Sequence, residues 1–340
     1  MEGELKKGRI RELDFCRALA ALGVITAHFS SANYNKFPLS EYNNLSLSSL
    51  SVCCFLIISG FAMFHRYDEI SDYALYYKKQ WLKIYPPFYL VWVVFFIEKA
   101  CQKGSFLYNG INSAPGFLLS LTGFDGYLLF AYPKAYYIAG EWFLGALIIL
   151  RLLFPFILFW VKKNKTRAFM IGTCIILYVI SFLFPLTSMY RMRTIPYCLF
   201  CFMLGAAIQR FCAWKRKTVV VLSAICLICC FLIDLPDTRI EIYTPLAGAN
   251  TVLITLWLGK TMMRNPFVSR ICSMMSRLSY NIFLLQHIII YKVLASDSFK
   301  GLNNTQLLSL LLFTIIVICV CARGLEIITN AFINRQNKVG

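Results

Sequence analysis

Charge is scarce in this 340-residue chain, and negative charge is scarcer still. Charged residues make up 15%, where a soluble domain carries roughly 25%. That deficit excludes a soluble enzyme. It also excludes a disordered protein, which needs high net charge and few apolar residues. Only 16 Asp and Glu stand against 34 Lys and Arg. In a soluble domain such an excess would point to nucleic acid. In a polytopic chain it gathers in cytoplasmic loops instead, so no nucleic-acid partner is expected. Room for a separate soluble domain is also missing. The longest segment between apolar runs, about 102–141, is too short for a core of its own. Internal repeats and low-complexity tracts are lacking as well.

Fourteen cysteines are present, most of them inside apolar runs. The segments read as outer loops contain none, which argues against a disulfide scaffold. Cys198/Cys201 and Cys226/Cys229/Cys230 have metal-like spacing but no histidine nearby. They read as small, soft core residues, and no metal site is expected. Lys6, Lys7, Arg9 and Arg11 precede the first apolar stretch in the manner of a signal peptide. Arg17 and His28 interrupt that stretch and no small-x-small site closes it. It therefore reads as an uncleaved first span.

Apolar residues make up 59% of the chain, enough for about ten spans of about 20 residues. Runs bounded by charge or turn residues fall at about 13–30, 47–64, 84–101, 142–161, 168–184, 195–213, 218–234, 242–262, 278–295 and 306–325. With the N-terminus inside, 23 Lys and Arg fall on inner segments and 9 on outer ones. The expected fold is an all-α polytopic transmembrane bundle of about ten spans with both termini cytoplasmic. It forms a single membrane-embedded domain over 1–340, with 1–12 and 330–340 as cytoplasmic tails. Residues 114–131 are apolar but broken by Pro115, Gly116, Gly123, Asp125 and Gly126. They read as an interfacial or re-entrant element, tolerated only where protein or water covers the backbone. The Pro86-Pro87 pair reads as the opening of the third span.

Ionisable groups inside spans are costly and mark candidate sites. Arg17 and His28 are eleven residues apart. On a helix this leaves a remainder of about 20° and an axial separation of about 16 Å, so both share one face. Asp14 precedes Arg17 by three, within reach of an ion pair. Asp14 and Arg17 also fit simple anchoring at the inner interface, with His28 a satisfied core group. Ser59-Gly60 offers either a hydroxyl or a notch for close helix approach. Lys78, Lys79 and Lys83 suit phosphate or anionic lipid equally. Glu141 and Trp142 open the fourth span, where a carboxylate turned inward would orient an imidazole. Ser279 and Tyr280 precede His287, which is seven residues after Tyr280 and on its face. Arg151 sits mid-span with no obvious partner.

Six stretches then follow one order. Leu13-Asp14 with Arg17-Ala18 leads to His28 across ten intervening residues. CFLIISGF ends in Ser59-Gly60-Phe61, and QWLKIYP holds Lys83-Ile84-Tyr85-Pro86. Trp142-Phe143-Leu144, Phe202-Met203-Leu204-Gly205 and Leu278-Ser279-Tyr280 through His287 complete the set. Together they resemble acyltransferase family 3, membrane proteins that O-acetylate surface polysaccharides and related acceptors. Lys83 and Gln80 stand where the family's pattern has arginines, Cys54 replaces an aromatic, and Phe283 replaces a tyrosine. The resemblance implies transfer of an acyl group, usually acetyl, from acyl-CoA as co-substrate to a hydroxyl of a glycan or other acceptor. No permanently bound cofactor is implied. A bacterial cytoplasmic membrane is the expected setting.

In that reading His28 is the general base, since imidazole titrates near neutrality. Arg17 and Lys83 hold the donor. Asp14, Ser59, Tyr85, Trp142, Ser279, Tyr280 and His287 complete the binding set, and Glu141 orients an imidazole or the acceptor. Direct transfer and an acyl-imidazole intermediate both remain open, as do acyl length, acceptor identity and oligomeric state. The rival reading is a permease or flippase for a lipid-linked or polymeric glycan, which polar residues in a cavity would serve as well. A membrane scaffold without chemistry is the third.

Overall fold

A computed structural model describes residues 8–33, 41–42, 45–104, 114–128, 139, 142–163, 166–183, 191–232, 240–295 and 302–339. Eleven α-helices account for nearly all of them: α1 Arg11–Ala32, α2 Leu47–Arg66, α3 Tyr73–Lys103, α4 Ala114–Thr122, α5 Trp142–Lys163, α6 Arg167–Leu183, α7 Ile195–Phe211, α8 Lys217–Leu232, α9 Ile240–Met262, α10 Pro266–Leu294 and α11 Asn304–Val339. The only other ladder among the described residues pairs Glu41–Tyr42 with Leu45–Ser46 just before α2.

Local chemistry sets the helix ends. Ser46 and Asp72 cap α2 and α3 by accepting from the backbone amides of Ser49 and Leu75, the latter at 2.9 Å. Asn265 accepts from Phe267 at 2.9 Å, with Pro266 next to it at the first helical position of α10. Gly104 ends α3 at φ +64°, a left-handed turn that costs glycine least.

Each of the ten apolar runs centres on its own helix. Among the described residues, six helices (α1, α2, α3, α5, α9 and α11) are long and apolar enough to cross a membrane. Three apolar helices, α6, α7 and α8, have 16 or 17 residues. These are about 24–26 Å long against a hydrocarbon core of about 30 Å. α10 has 29 residues but carries polar side chains along its length, among them Arg270, Arg277, Asn281, Gln286 and Lys292.

Two sequence expectations change. α3 does not open at Pro86-Pro87 but runs through them from Tyr73, gaining about three turns that carry Gln80 and Lys83. Neighbouring helices permit such interior prolines at membrane depth. Residues 330–339, read as part of a tail, continue α11, and Asn330 and Ile333 form part of a cavity wall. The broken segment at 114–131 gives the nine-residue α4, about 14 Å long and too short to cross. Its Ser120 is fully buried and accepts from Trp92 Nε1 at 2.9 Å. Gly123 at φ +78° turns the chain beneath Leu144. Protein covers this irregular backbone, as the environment requires.

α1 packs against α2, α9 and α10, α2 packs against α7, and α3 meets α10 and α11. Two large apolar clusters result, beside a small third one of Ala18, Ala21, Met263, Cys272 and Met275. One large cluster joins Leu56, Ile57, Phe61, Phe154 and Phe202; the other joins Ile25, Phe29, Phe88, Leu278 and Ile318. The outer surface is apolar too, with Leu152, Phe156, Ile176, Leu222, Phe313 and Val320 all exposed. An exterior of that kind suits lipid rather than water.

The closest crossing is α2 against α7. A Cβ on Gly60 would sit 1.9 Å from the Phe202 carbonyl oxygen, and one on Gly205 would sit 1.9 Å from that of Ile57. Each glycine meets the carbonyl three residues before the other, so the two form a reciprocal notch.

Candidate active site

Between the two large apolar clusters lies a cavity of about 1580 Å³. Its walls come from α1, α2, α3, α5, α10 and α11, together with the turn after α4. Of the residues singled out from the sequence, Arg17, His28, Ser59, Lys83, Trp142, Ser279, Tyr280 and His287 all line it.

The centre is a pair of imidazoles. His287 Nε2 and His28 Nδ1 are 2.8 Å apart, with ring centroids at 4.1 Å and planes at 75°. One nitrogen must donate and the other accept. The sequence separates these residues by 259 positions, and the α1–α10 packing joins them. Their shared surroundings are apolar, with Ile25, Phe29, Ile282 and Leu284 buried nearby on the same two helices.

Cations crowd the Arg17 end. Arg66, Lys83, Arg151 and Arg277 line the cavity with Arg17. One carboxylate, Glu326, lines it too; it bonds Arg277 Nε at 2.9 Å and also pairs with Arg323. Five cations facing one carboxylate make this end a receptor for anions. The other end carries a single cation, Arg193, among the described residues. α2 runs back past α1, so Ser46, Ser48 and Ser49 lie at the end of the cavity opposite Arg66. Trp142 is beside them in the wall, with the Arg193 guanidinium 5.6 Å from its ring centre.

Hydrogen bonds sort the hydroxyls. Tyr280 donates to the Ile84 carbonyl at 2.8 Å, which ties α10 to α3. Ser279 donates to the Ser276 carbonyl at 2.9 Å. Ser59 makes no hydrogen bond among the described residues, so its hydroxyl is available to a ligand.

Three candidates stand apart. Asp14 is 3% exposed and lies outside the cavity wall. It pairs with Arg9 at 2.7 Å and accepts from Ser276 Oγ at 2.7 Å; among the described residues it makes no ion pair with Arg17. Its bonds fix α1 to α10 and thereby the register of the two histidines. Tyr85 stacks on Trp81 at 3.9 Å and donates to the Thr122 carbonyl at 3.3 Å, which pins the end of α4. Glu141 lies outside the described residues.

Gln80 and Arg151 explain each other. Gln80 is buried and accepts from the Arg151 guanidinium, while Tyr76 donates to the Arg151 carbonyl at 2.8 Å. The sequence showed Gln80 as a missing arginine and Arg151 as a charge without a partner. Space joins them: Gln80 steers a cation from α5 into the cavity wall. Glu326 and Gln286 also line the cavity and were not singled out. Glu326 had a signal, a carboxylate three residues after Arg323 in a long apolar helix. Gln286 was hidden beside His287.

One chamber thus holds an anion-receiving end and an imidazole pair, the two features that transfer of a group from an anionic donor requires. Comparison with protein families matches residues 10–323 to the acyltransferase domain of acyltransferase family 3. The match covers nearly the whole chain, and the protein belongs to that family: it is a multi-pass membrane acyltransferase. A search of curated proteins and one of solved structures each gave no match.

Proposed function

We propose that the protein transfers an acetyl group from acetyl-CoA to a hydroxyl of a surface glycan, with His28 as general base. The hydrogen-bonded His28–His287 pair, in one cavity with a cluster of cations, carries this reading. In the proposed arrangement all ten long or apolar helices other than α4 cross the membrane. Both termini then lie in the cytoplasm, together with the Arg17 end of the cavity. The setting is a bacterial cytoplasmic membrane.

The donor's phosphates rest among Arg17, Lys83 and Arg151 at that end. The pantetheine arm reaches along the cavity toward the histidines, over the roughly 16 Å that eleven helical residues span. The acceptor enters from the serine- and Trp142-lined end.

For His28 to act as base at Nε2, its Nδ1–H must donate to His287 Nε2, so His287 sets the tautomer. The acceptor hydroxyl loses its proton to His28 Nε2 as its oxygen bonds to the thioester carbon. The carbonyl electron pair moves onto oxygen, where the uncommitted Ser59 hydroxyl in the wall can donate to it. Collapse breaks the C–S bond, and the departing thiolate takes the proton from His28. Atoms and charge balance without a covalent enzyme intermediate.

The test is acetyl content of cell-surface glycans by mass spectrometry in a deletion strain carrying wild type or His28→Ala. Loss of a general base lowers transfer by about 10²–10⁴-fold. Retained acetylation at normal protein levels removes His28 from the mechanism. Polymer trapped inside the deletion strain would favour transport instead.

A further inference from the structure

One buried carboxamide in the cavity is left by the fold without any partner. Gln286 on α10 is 1% exposed and lines the same cavity as the histidines. Neither its Nε2 nor its Oε1 has a hydrogen-bond partner among the described residues. Buried polar groups are nearly always paired, and both halves of this carboxamide lose their water on burial. The contrast on the same helix is Asn281, also in the wall, whose Nδ2 donates to the Ala322 carbonyl at 3.2 Å. A carboxamide that the fold had only to bury would be expected to find such a partner.

Position narrows what fills it. Gln286 immediately precedes His287, so its backbone lies about 1.5 Å along the helix axis from that of the catalytic pair. It is ten residues beyond Ser276, about 15 Å from the cationic end. Phosphate chemistry is therefore remote. The chemistry of the two free atoms narrows it further. A thioester carbonyl only accepts, and would leave Oε1 unpaired. A hydroxyl both donates and accepts, and a sugar presents several side by side.

We infer that Gln286 binds the acceptor: Oε1 accepts from a hydroxyl adjacent to the reacting one, and Nε2 donates to a neighbouring oxygen of the same acceptor. This rests on the acyltransferase reading above. It makes Gln286 a specificity residue, selecting acceptors that carry a second polar group beside the hydroxyl acylated. A site built around a carboxamide discriminates against an acceptor lacking that group, because its own buried atoms then stay unpaired. Trp142, in the wall at the end away from the cation cluster, offers an apolar ring face for the carbon skeleton of such a ring.

The test uses membranes from a strain lacking the gene, supplied with the full-length wild type or a variant, so that the natural acceptor is present. [14C]acetyl-CoA is the probe. Transfer at saturating acetyl-CoA is expected to fall by roughly tenfold or more in Gln286→Leu, and by less in Gln286→Glu, which keeps an accepting oxygen. The acetyl-CoA Kd of the purified chain stays within about twofold of wild type. A tenfold rise in that Kd would place Gln286 on the pantetheine amides and overturn the inference. Unchanged transfer in both variants overturns it as well. Should Gln286→Leu fail to fold, the near-isosteric Gln286→Glu carries the test through the same two readouts. His28→Ala, run alongside, separates the two proposals. Full activity there, or no labelling by wild type, defeats the acyltransferase mechanism. An inactive His28→Ala beside unimpaired Gln286 variants defeats this inference alone.

Discussion

Gly60→Ala and Gly205→Ala should each destabilise the bundle, and together they should cost less than their sum. The methyl group of Gly60→Ala meets a backbone oxygen at 1.9 Å, and so does that of Gly205→Ala. Carbon and carbonyl oxygen settle at about 3.3 Å, so α2 and α7 must separate by about 1.4 Å. A gap of about 0.5–1 Å already forfeits a quarter to a half of the local dispersion energy. The obstructing atoms are backbone, so no rotamer change relieves the clash. Overpacking of this kind costs about 1–3 kcal/mol, and the rigid obstacle argues for the upper half. The two contacts lie on one crossing, so once the helices have parted for one methyl the second finds room. A double-mutant cycle on detergent-purified protein, read by thermal unfolding, would then give a favourable coupling term of about 1 kcal/mol or more. Strictly additive losses, or single variants that melt with the wild type, would refute the reciprocal notch.

Four other outcomes follow from the site. His287→Phe keeps a ring in place but removes the hydrogen bond to His28; transfer should fall by about 10²-fold while the acetyl-CoA Kd holds, as measured by labelled acetyl-CoA in membranes. Ser276→Ala leaves the buried Asp14 carboxylate short of a 2.7 Å donor. It should cost about 1–3 kcal/mol in unfolding experiments, with a smaller effect on acetyl-CoA binding. Gln80→Leu strips Arg151 of its acceptor, so donor Kd should rise several-fold in equilibrium binding, and an unchanged value would show that Arg151 needs no steering. Glu326→Gln removes the one carboxylate from the cationic end, and acetyl-CoA should bind more tightly at low salt, with the gain fading as salt screens it.

The parts legible in sequence were those written within single helices. A separation of eleven residues returned Arg17 and His28 to one face because helical geometry is local, and both do line the cavity. The ten apolar runs likewise each centre on one helix, since period and length need no knowledge of neighbours. The helix through Pro86-Pro87 was not legible. Proline breaks helices in water, and the rule weakens where surrounding helices compensate. Residues 330–335 are polar enough to resemble a tail, and they continue α11, with Asn330 and Ile333 in the cavity wall.

Pairings between distant helices were the other gap, and they decide the chemistry. Nothing in α1 alone shows that His28 meets His287, or that Asp14 turns to Arg9 and Ser276 rather than to Arg17. The spacing of Asp14 and Arg17 allowed an ion pair, but a helix interface offers many partners, and a buried carboxylate takes those that satisfy more of its lone pairs. Gly60 and Ser59 show the same logic in adjacent positions. The sequence offered a packing notch or a functional hydroxyl as alternatives, and a helix presents adjacent residues about 100° apart. Gly60 therefore turns to α7 while Ser59 turns to the cavity, and one dipeptide holds the crossing closed and leaves a hydroxyl at the chamber wall. Loss of the notch would then shift Ser59 together with α2, so the catalytic effect of Gly60→Ala should follow helix separation rather than any contact with substrate.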